Sequence, residues 1–502
     1  MMCRLRAPFC WSCLLVAALF SKAAGQDAQA TLHLSDPIET PLGTLPEDGF
    51  DSLKFSRDQL YVAWLDGTKW ANRVSFNGKP GRAYRDIDDG KIAVSPDGRR
   101  VAYVADKGDM EVLVLDGREG RPYRYISGFS FSPDSRRHAY CAWETGAGNY
   151  AVVDGARHGP YDVMDGGSRV DPPHHRMYGA PQFTRDSRHV IYAAARTVQG
   201  RLQWRVVIDG KEGPTFDLGD SRNQVAIHVA ALSPEPRFAH RAKKGEKWIT
   251  VHNGVEGPEH DLVEWLAISP DGTRLAYFAK NGDEGAVYLD GVVVAKCDET
   301  YSDAMTFSPD GRRFAFIAGR GESWVAVVDG EPGPEYDGAH SITFSPDSQR
   351  VAYAASYGEH RATALVVVDG EEGPDHAEVA QLTFSPDSRR FAYRAKISDT
   401  EGVVVVDGEE YAAGGWWGRE PACAVVFTPD SRHVAYFRVD DMFDRRLVID
   451  DLWMGPSYAY PMARPHFSDG KIEYLVMVDW PFERVVRVSH TFMEPAPGGD
   501  AQ

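Results

Sequence analysis

The phrase FSPDSRRFAY at 384–393 recurs as FSPDGRRFAF at 307–316, FSPDSQRVAY at 344–353 and VSPDGRRVAY at 94–103. Such regularity dictates a chain of like units stacked on one another rather than one irregular core. Looser copies fill the gaps, and their acidic residues are Asp58, Asp97, Asp134, Asp186, Glu235, Asp271, Asp310, Asp347, Asp387, Asp430 and Asp469. The successive spacings are 39, 37, 52, 49, 36, 39, 37, 40, 43 and 39. A period near 40 with two insertions is the length of a four-stranded propeller blade.

A second phrase follows each first one: VLDGREG at 114–120, VVDGEPGPEYD at 327–337, VVDGEEGPDH at 367–376 and VVDGEEY at 405–411. Each unit therefore holds two hairpins. In Ser-Pro-Asp-Gly/Ser, proline presets the second turn position and the fourth tolerates left-handed geometry. Asp-Gly between Val-rich runs is the strongest short-range hairpin signal. Strands A and B flank the first turn, C and D the second. The C segments ALVVVDG at 364–370 and GVVVVDG at 402–408 are apolar without alternation. Such strands are covered on both faces, as in a blade held between two others.

Together the phrases resemble the WD40-like PD40 repeat of TolB-type periplasmic propellers and of the propeller domains in the prolyl oligopeptidase class. The resemblance spans about 50 to 490 and implies an all-β, β-propeller fold of about eleven four-stranded repeats. The TolB-type α/β domain has no counterpart in 26–49, nor the oligopeptidase hydrolase domain in the tail after Val488. The expectation is a TolB-type propeller without the TolB N-terminal domain. Eleven blades in one ring would leave a wide central hole, so two tandem propellers are expected, with the seam near the weakest copy, ALSPEPRFAH at 231–240. The division reads 1–25 signal peptide, 26–49 lead-in, 50–260 first propeller of about five blades, 261–490 second of about six, and 491–502 tail; four and seven is the rival split.

Arg4 and Arg6, the apolar stretch from Trp11 to Phe20, and Ala23, Ala24 and Gly25 read as a secretory signal cleaved before Gln26. The apolar run is shorter than the ~20 residues that span a bilayer, so the mature chain is expected in the periplasm or outside the cell, without a membrane span. Cys3, Cys10 and Cys13 leave with the signal, and Cys141, Cys297 and Cys423 read as buried strand residues rather than a disulfide framework. The net charge of -18, with no basic stripe, argues against nucleic acid.

Both tight turns emerge on one face of a ring, and the B–C and D–A connections on the other. The first face repeats; the second diverges, as in WETGAGN at 143–149, RTVQGRLQ at 196–203, SYGEHRAT at 356–363 and RVDDMFDR at 438–445. Scaffold residues repeat and recognition residues diverge, so the second face is the expected binding face. Its candidate binding residues are Trp143, the pair Trp416 and Trp417 in AAGGWWGREPA at 412–422, and His174 and His175 in the insertion at 163–181. The Trp pair suits a protein or carbohydrate partner. Adjacent histidines on extended backbone point apart, so they are not expected to share a metal. The turn aspartates read as caps of their own backbone, and the cluster Asp86, Asp88 and Asp89 lacks the ligand spacing of a calcium loop. No GxSxG, HExxH or phosphate-loop motif occurs. The expectation is a non-catalytic exported platform for a protein partner in the cell envelope, without cofactor or metal. Competing readings are a hydrolase or lyase with acidic residues in the channel, and a carbohydrate or peptide sensor.

Overall fold

The computed structural model describes residues 33–46, 52–68, 71–164, 180–217, 227–230, 233, 235–301, 304–358, 362–398, 400–415, 424–441, 444–468, 470–478 and 484–493. The expected signal peptide, Cys423 and the tail from 494 lie outside them. The described residues form strands and turns, with no α-helix among the named elements. In the second repeat, A is Ile87–Val94, B Val101–Lys107, C Met110–Leu115 and D Arg118–Tyr123, hydrogen-bonded in that order as one antiparallel sheet. Ten such blades follow the chain, at 54–80, 87–123, 125–161, 163–217, 227–260, 262–296, 305–336, 338–372, 378–414 and 426–458. The protein is an all-β propeller.

The turns adopt the conformations that their residues prescribe. Asp116 and Gly117 have φ of 52° and 78°, as do Asp329 and Gly330 at 53° and 91°, the two positive values of a type I′ hairpin. The fourth residue of the first turn is also left-handed, as at Gly98 (66°) and Ser135 (63°). Between the turns, strand B is buried on both sides and its alternate residues part company. Val101, Tyr103 and Ala105 pack towards blade 1, and Ala102 and Val104 towards blade 3. A blade alone would leave one of these faces in water, so stacking is what stabilises it.

Among the described residues, eleven apolar clusters join the blades, one between each pair of sequence neighbours and one between the last repeat and the first. Two separate rings would pack blade 5 on blade 1 and blade 11 on blade 6. Instead, Ala239 of blade 5 packs with Val263, Leu275 and Tyr277 of blade 6, across the expected seam. Val62 and Trp64 of blade 1 pack with Leu475, Met477 and Val485 at the far end of the chain. The clusters trace one circuit of eleven and do not follow the expected division at 260/261. In the weak repeat at 231–240 the turn is degenerate in sequence, yet Phe238, Ala239 and Ala242 keep their buried faces.

The lead-in closes this circuit. The eleventh blade has B at Lys471–Val478 and C at Arg484–Met493, and its fourth strand is Ile38–Thr44 from the other end of the chain, with Ile38 opposite Ser489 and Thr44 opposite Arg484. Glu39 there accepts a hydrogen bond from Tyr458 Oη of blade 10 at 3.0 Å. Glu372 accepts one from Tyr336 at 2.8 Å at an ordinary blade junction, so the borrowed strand occupies a true D position. First strands of neighbouring blades touch each other, whereas D strands such as Glu331–Tyr336 are exposed along most of their length. The A strands therefore line the central opening and the D strands form the rim.

Candidate functional site

On the face of tight turns, side chains bind the blades together. Ser95 Oγ donates to Asp97 Oδ1 at 2.6 Å, and Asp97 Oδ1 accepts the Arg99 amide at 3.1 Å, closing the turn on itself. Burial would raise the Asp97 carboxyl, but the hydrogen bonds from Ser95, the Arg99 amide and Ser135 hold it below its ordinary value. The Asp97 amide donates to Ser135 Oγ of the next blade at 3.0 Å, and the same bond recurs from Asp134 to Ser187, Asp310 to Ser348, Asp347 to Ser388 and Asp387 to Ser431. Serine at the fourth turn position is thus an inter-blade acceptor as well as a left-handed residue. With their polar atoms engaged in this lattice, the turns present a repeated scaffold surface.

The opposite face is built differently. An aspartate ahead of strand A accepts a backbone amide from the following B–C turn: Asp261 from Gly282, Asp298 from Gly321 and Asp337 from Gly358, each at 2.8 Å. These caps fix the roots of the loops. The turns themselves are exposed: Gly108–Asp109, Gly245–Glu246, Gly282–Asp283 and Gly321–Glu322 share a glycine followed by an acid, whereas Thr145–Ala147 is longer and different.

Of the candidate binding residues, Trp143 lies in the described part. It sits near the loop-face end of strand B of blade 3, His138–Glu144, half-buried and opposite Tyr125, which is 46% exposed. Strand parity puts it on the side of Ala139 and Cys141, which pack towards blade 4. Trp416, Trp417, His174 and His175 lie outside the described residues. Cys141 and Cys297 are buried and in no disulfide among the described residues, and burial pushes the Cys297 thiol up to about 11. No cluster of three or more His, Cys, Asp or Glu side chains with metal-binding geometry occurs among the described residues.

The wall of the central opening holds what a reading of single repeats missed. Strands A of four blades bulge at one repeat position, where the first residue is left-handed: Gly128 (60°), Ser341 (58°), Gln381 (58°) and Trp265 (49°). A tryptophan at positive φ is a strained choice that glycine would relieve, and Trp265 is 41% exposed. Aligning the repeats on their Ser-Pro-Asp turns is the signal that singles it out. A cavity of about 490 Å³ is lined by residues of blades 4 to 7, including Gln182, His228, Ala267, Thr306 and Phe307, and by no carboxylate. Burial, with the charge of Arg241, lowers the pKa of His228, so a neutral imidazole faces this cavity.

No family model and no curated protein sequence matches the chain. Among solved structures, it is similar to a eukaryotic initiation factor, at 12% identity over 70% of this chain and 95% of that one, with a TM-score of 0.35. It is also similar to TolB from Acinetobacter baumannii, at 12% identity over 60% and 79% with a TM-score of 0.25, and to the dihydro-heme d1 dehydrogenase NirN in complex with DHE, at 16% over 62% and 72% with a TM-score of 0.30. At these scores the likenesses carry no argument about shape or function, and the propeller stands on strand order and blade packing.

Proposed function

We propose that the chain is a non-catalytic propeller, exported to the cell envelope, that holds a protein partner on its loop face. The observation that carries the reading is the contrast between the faces. On the tight-turn side, Asp side chains close their own turns, and Ser and Arg side chains bond the neighbouring blade. On the other side, aspartates such as Asp261 and Asp298 hold one amide of each turn, and the exposed turns vary in length and sequence, from Gly282–Asp283 and Gly321–Glu322 to Thr145–Ala147. Divergent loops on a rigid ring give a partner a distinctive surface at little ordering cost. Export follows from the composition of residues 1–25.

A photo-reactive residue placed in turn at Thr145 and Glu322 on the loop face, and at Arg99 and Arg312 on the turn face, tests the assignment in envelope extracts. All four positions are exposed. One discrete adduct from the loop positions, absent from the turn positions, supports the reading. Adducts from the turn face alone, or from neither face, overturn it.

A further inference from the structure

A groove of about 590 Å³ opens at the rim between blades 2 and 3, a volume in the ordinary range of small-ligand sites. It lies where blade 3 departs from a position that five other blades share. Three residues after the turn Asp or Asn, strand D carries Glu119, Glu212, Glu256, Glu372 and Glu410 in five blades. At several junctions this glutamate reaches back to an aromatic residue of the preceding blade: Tyr84 Oη donates to Glu119 at 3.1 Å, Tyr336 Oη to Glu372 at 2.8 Å, and the His376 ring lies 3.2 Å from Glu410. Blade 3 places Arg157 there instead, facing Tyr123 of blade 2.

The exchange changes both the space and the charge. Arg157 swings onto the Tyr150 ring, 3.6 Å from its centroid, and donates to Glu144 at 2.8 Å. Arg121 donates to the same carboxylate at 2.7 Å, so two guanidinium groups share one acid. Burial would raise the Glu144 carboxyl, but the hydrogen bonds and charges of Arg121 and Arg157 hold it below its ordinary value. Arg118, also in the lining, has no acidic partner among the described residues, and Arg157 Nε is shut from solvent without an acceptor. The two acids of the lining are already matched: Asp116 by Arg100, and Glu119 by Arg82 and Lys107 from the far side. A chain of net charge -18 thus holds a groove with surplus positive charge. Its inner wall is apolar, from Leu113, Leu115 and the edge-to-face rings of Tyr123 and Tyr140.

We propose that this groove binds a small molecule with one anionic head group, a carboxylate or a phosphate, on a flat apolar body. The head meets Arg118 and the guanidinium of Arg157, and the body lies against Tyr123 and Tyr140. Guanidinium forks suit both head groups, and aromatic walls suit a ring. The site is on the rim and is independent of the platform reading.

Calorimetric titration of the full chain with phenyl phosphate, benzoate, inorganic phosphate and benzyl alcohol tests it. Phenyl phosphate or benzoate binds, whichever is tighter naming the head group, and inorganic phosphate and benzyl alcohol bind at least about tenfold more weakly. Arg157→Glu, which introduces the residue of five other blades, and Arg118→Ala, on the exposed strand, each weaken that binding about tenfold or more. Arg118→Ala keeps the test open if Arg157→Glu fails to fold. Failure of both aromatic anions to bind, equal binding of inorganic phosphate, or unchanged affinity in Arg118→Ala overturns the proposal.

Discussion

Arg100 donates from Nε to Asp116 Oδ2 at 2.9 Å while its Nη1 donates to the carbonyl oxygens of Ser135 and Arg136 at 3.1 and 3.0 Å, so one guanidinium ties both hairpins of blade 2 to the first turn of blade 3. Arg313 repeats the arrangement with Asp329 and Ser348, and Arg350 with Asp369, Ser388 and Arg389. A lysine cannot span both partners, since it offers one compact cation in place of a rigid fork. Arg100→Lys should therefore cost about 1–2 kcal/mol by urea denaturation, more than an exposed ion pair and comparable with lost charged hydrogen bonds. The distant substitution Arg350→Lys should add to it without coupling.

What the sequence showed and what it hid follow from distance along the chain. The Asp-Gly hairpins and the proline turns were legible because every interaction they need lies within a few residues. The second use of Ser135 was not, since its partner is the Asp97 amide one repeat earlier. Ring closure was hidden further still, because the bond from Tyr458 to Glu39 joins opposite ends of the chain. The rim groove was concealed differently: Arg157 is unremarkable alone and informative only beside the glutamates of the other blades.

Closure by Ile38–Thr44 predicts a specific failure. Removing residues 33–44 uncovers the edge of Arg484–Met493 and the apolar surface of Trp64, Val485 and Met477. A bare edge strand beside exposed apolar surface recruits other chains. The truncated protein should melt at lower temperature and aggregate on heating, as read by light scattering. Glu39→Gln, which keeps an acceptor for Tyr458, should retain the fold and lose about 1 kcal/mol or less.

His240 makes stability depend on acid. It is 1% exposed among Trp204, Phe216 and Phe238, with Nδ1 3.4 Å from the Arg241 carbonyl oxygen, and burial pushes its pKa from 6.5 down to about 4. The unfolded chain therefore binds a proton at a pH where the folded one does not. Its contribution is fully present above about pH 6.5 and is lost as the pH falls towards about 4, by ~3 kcal/mol in all. Phe316 occupies the same repeat position in blade 7. His240→Phe should accordingly flatten the stability profile between these values in urea denaturation at stepped pH, while the turn aspartates, titrating lower, keep their share of the acid response.

The rim of blade 6 lacks the guard that the other rims carry. Where other D strands open with Arg118–Glu119, Lys211–Glu212, Glu371–Glu372 or Glu409–Glu410, this one opens with Val292 and Val293, exposed to 66% and 47%, and runs to Lys296 without a proline. Its outer backbone groups face solvent, so charge and proline, the two devices that keep an edge strand from pairing with another chain, are both missing over four residues. The protein should associate weakly with itself through this edge. Sedimentation velocity should show a sedimentation coefficient that rises with concentration, and Val292→Glu with Val293→Glu, copying blades 8 and 9, should abolish the rise without lowering the melting temperature.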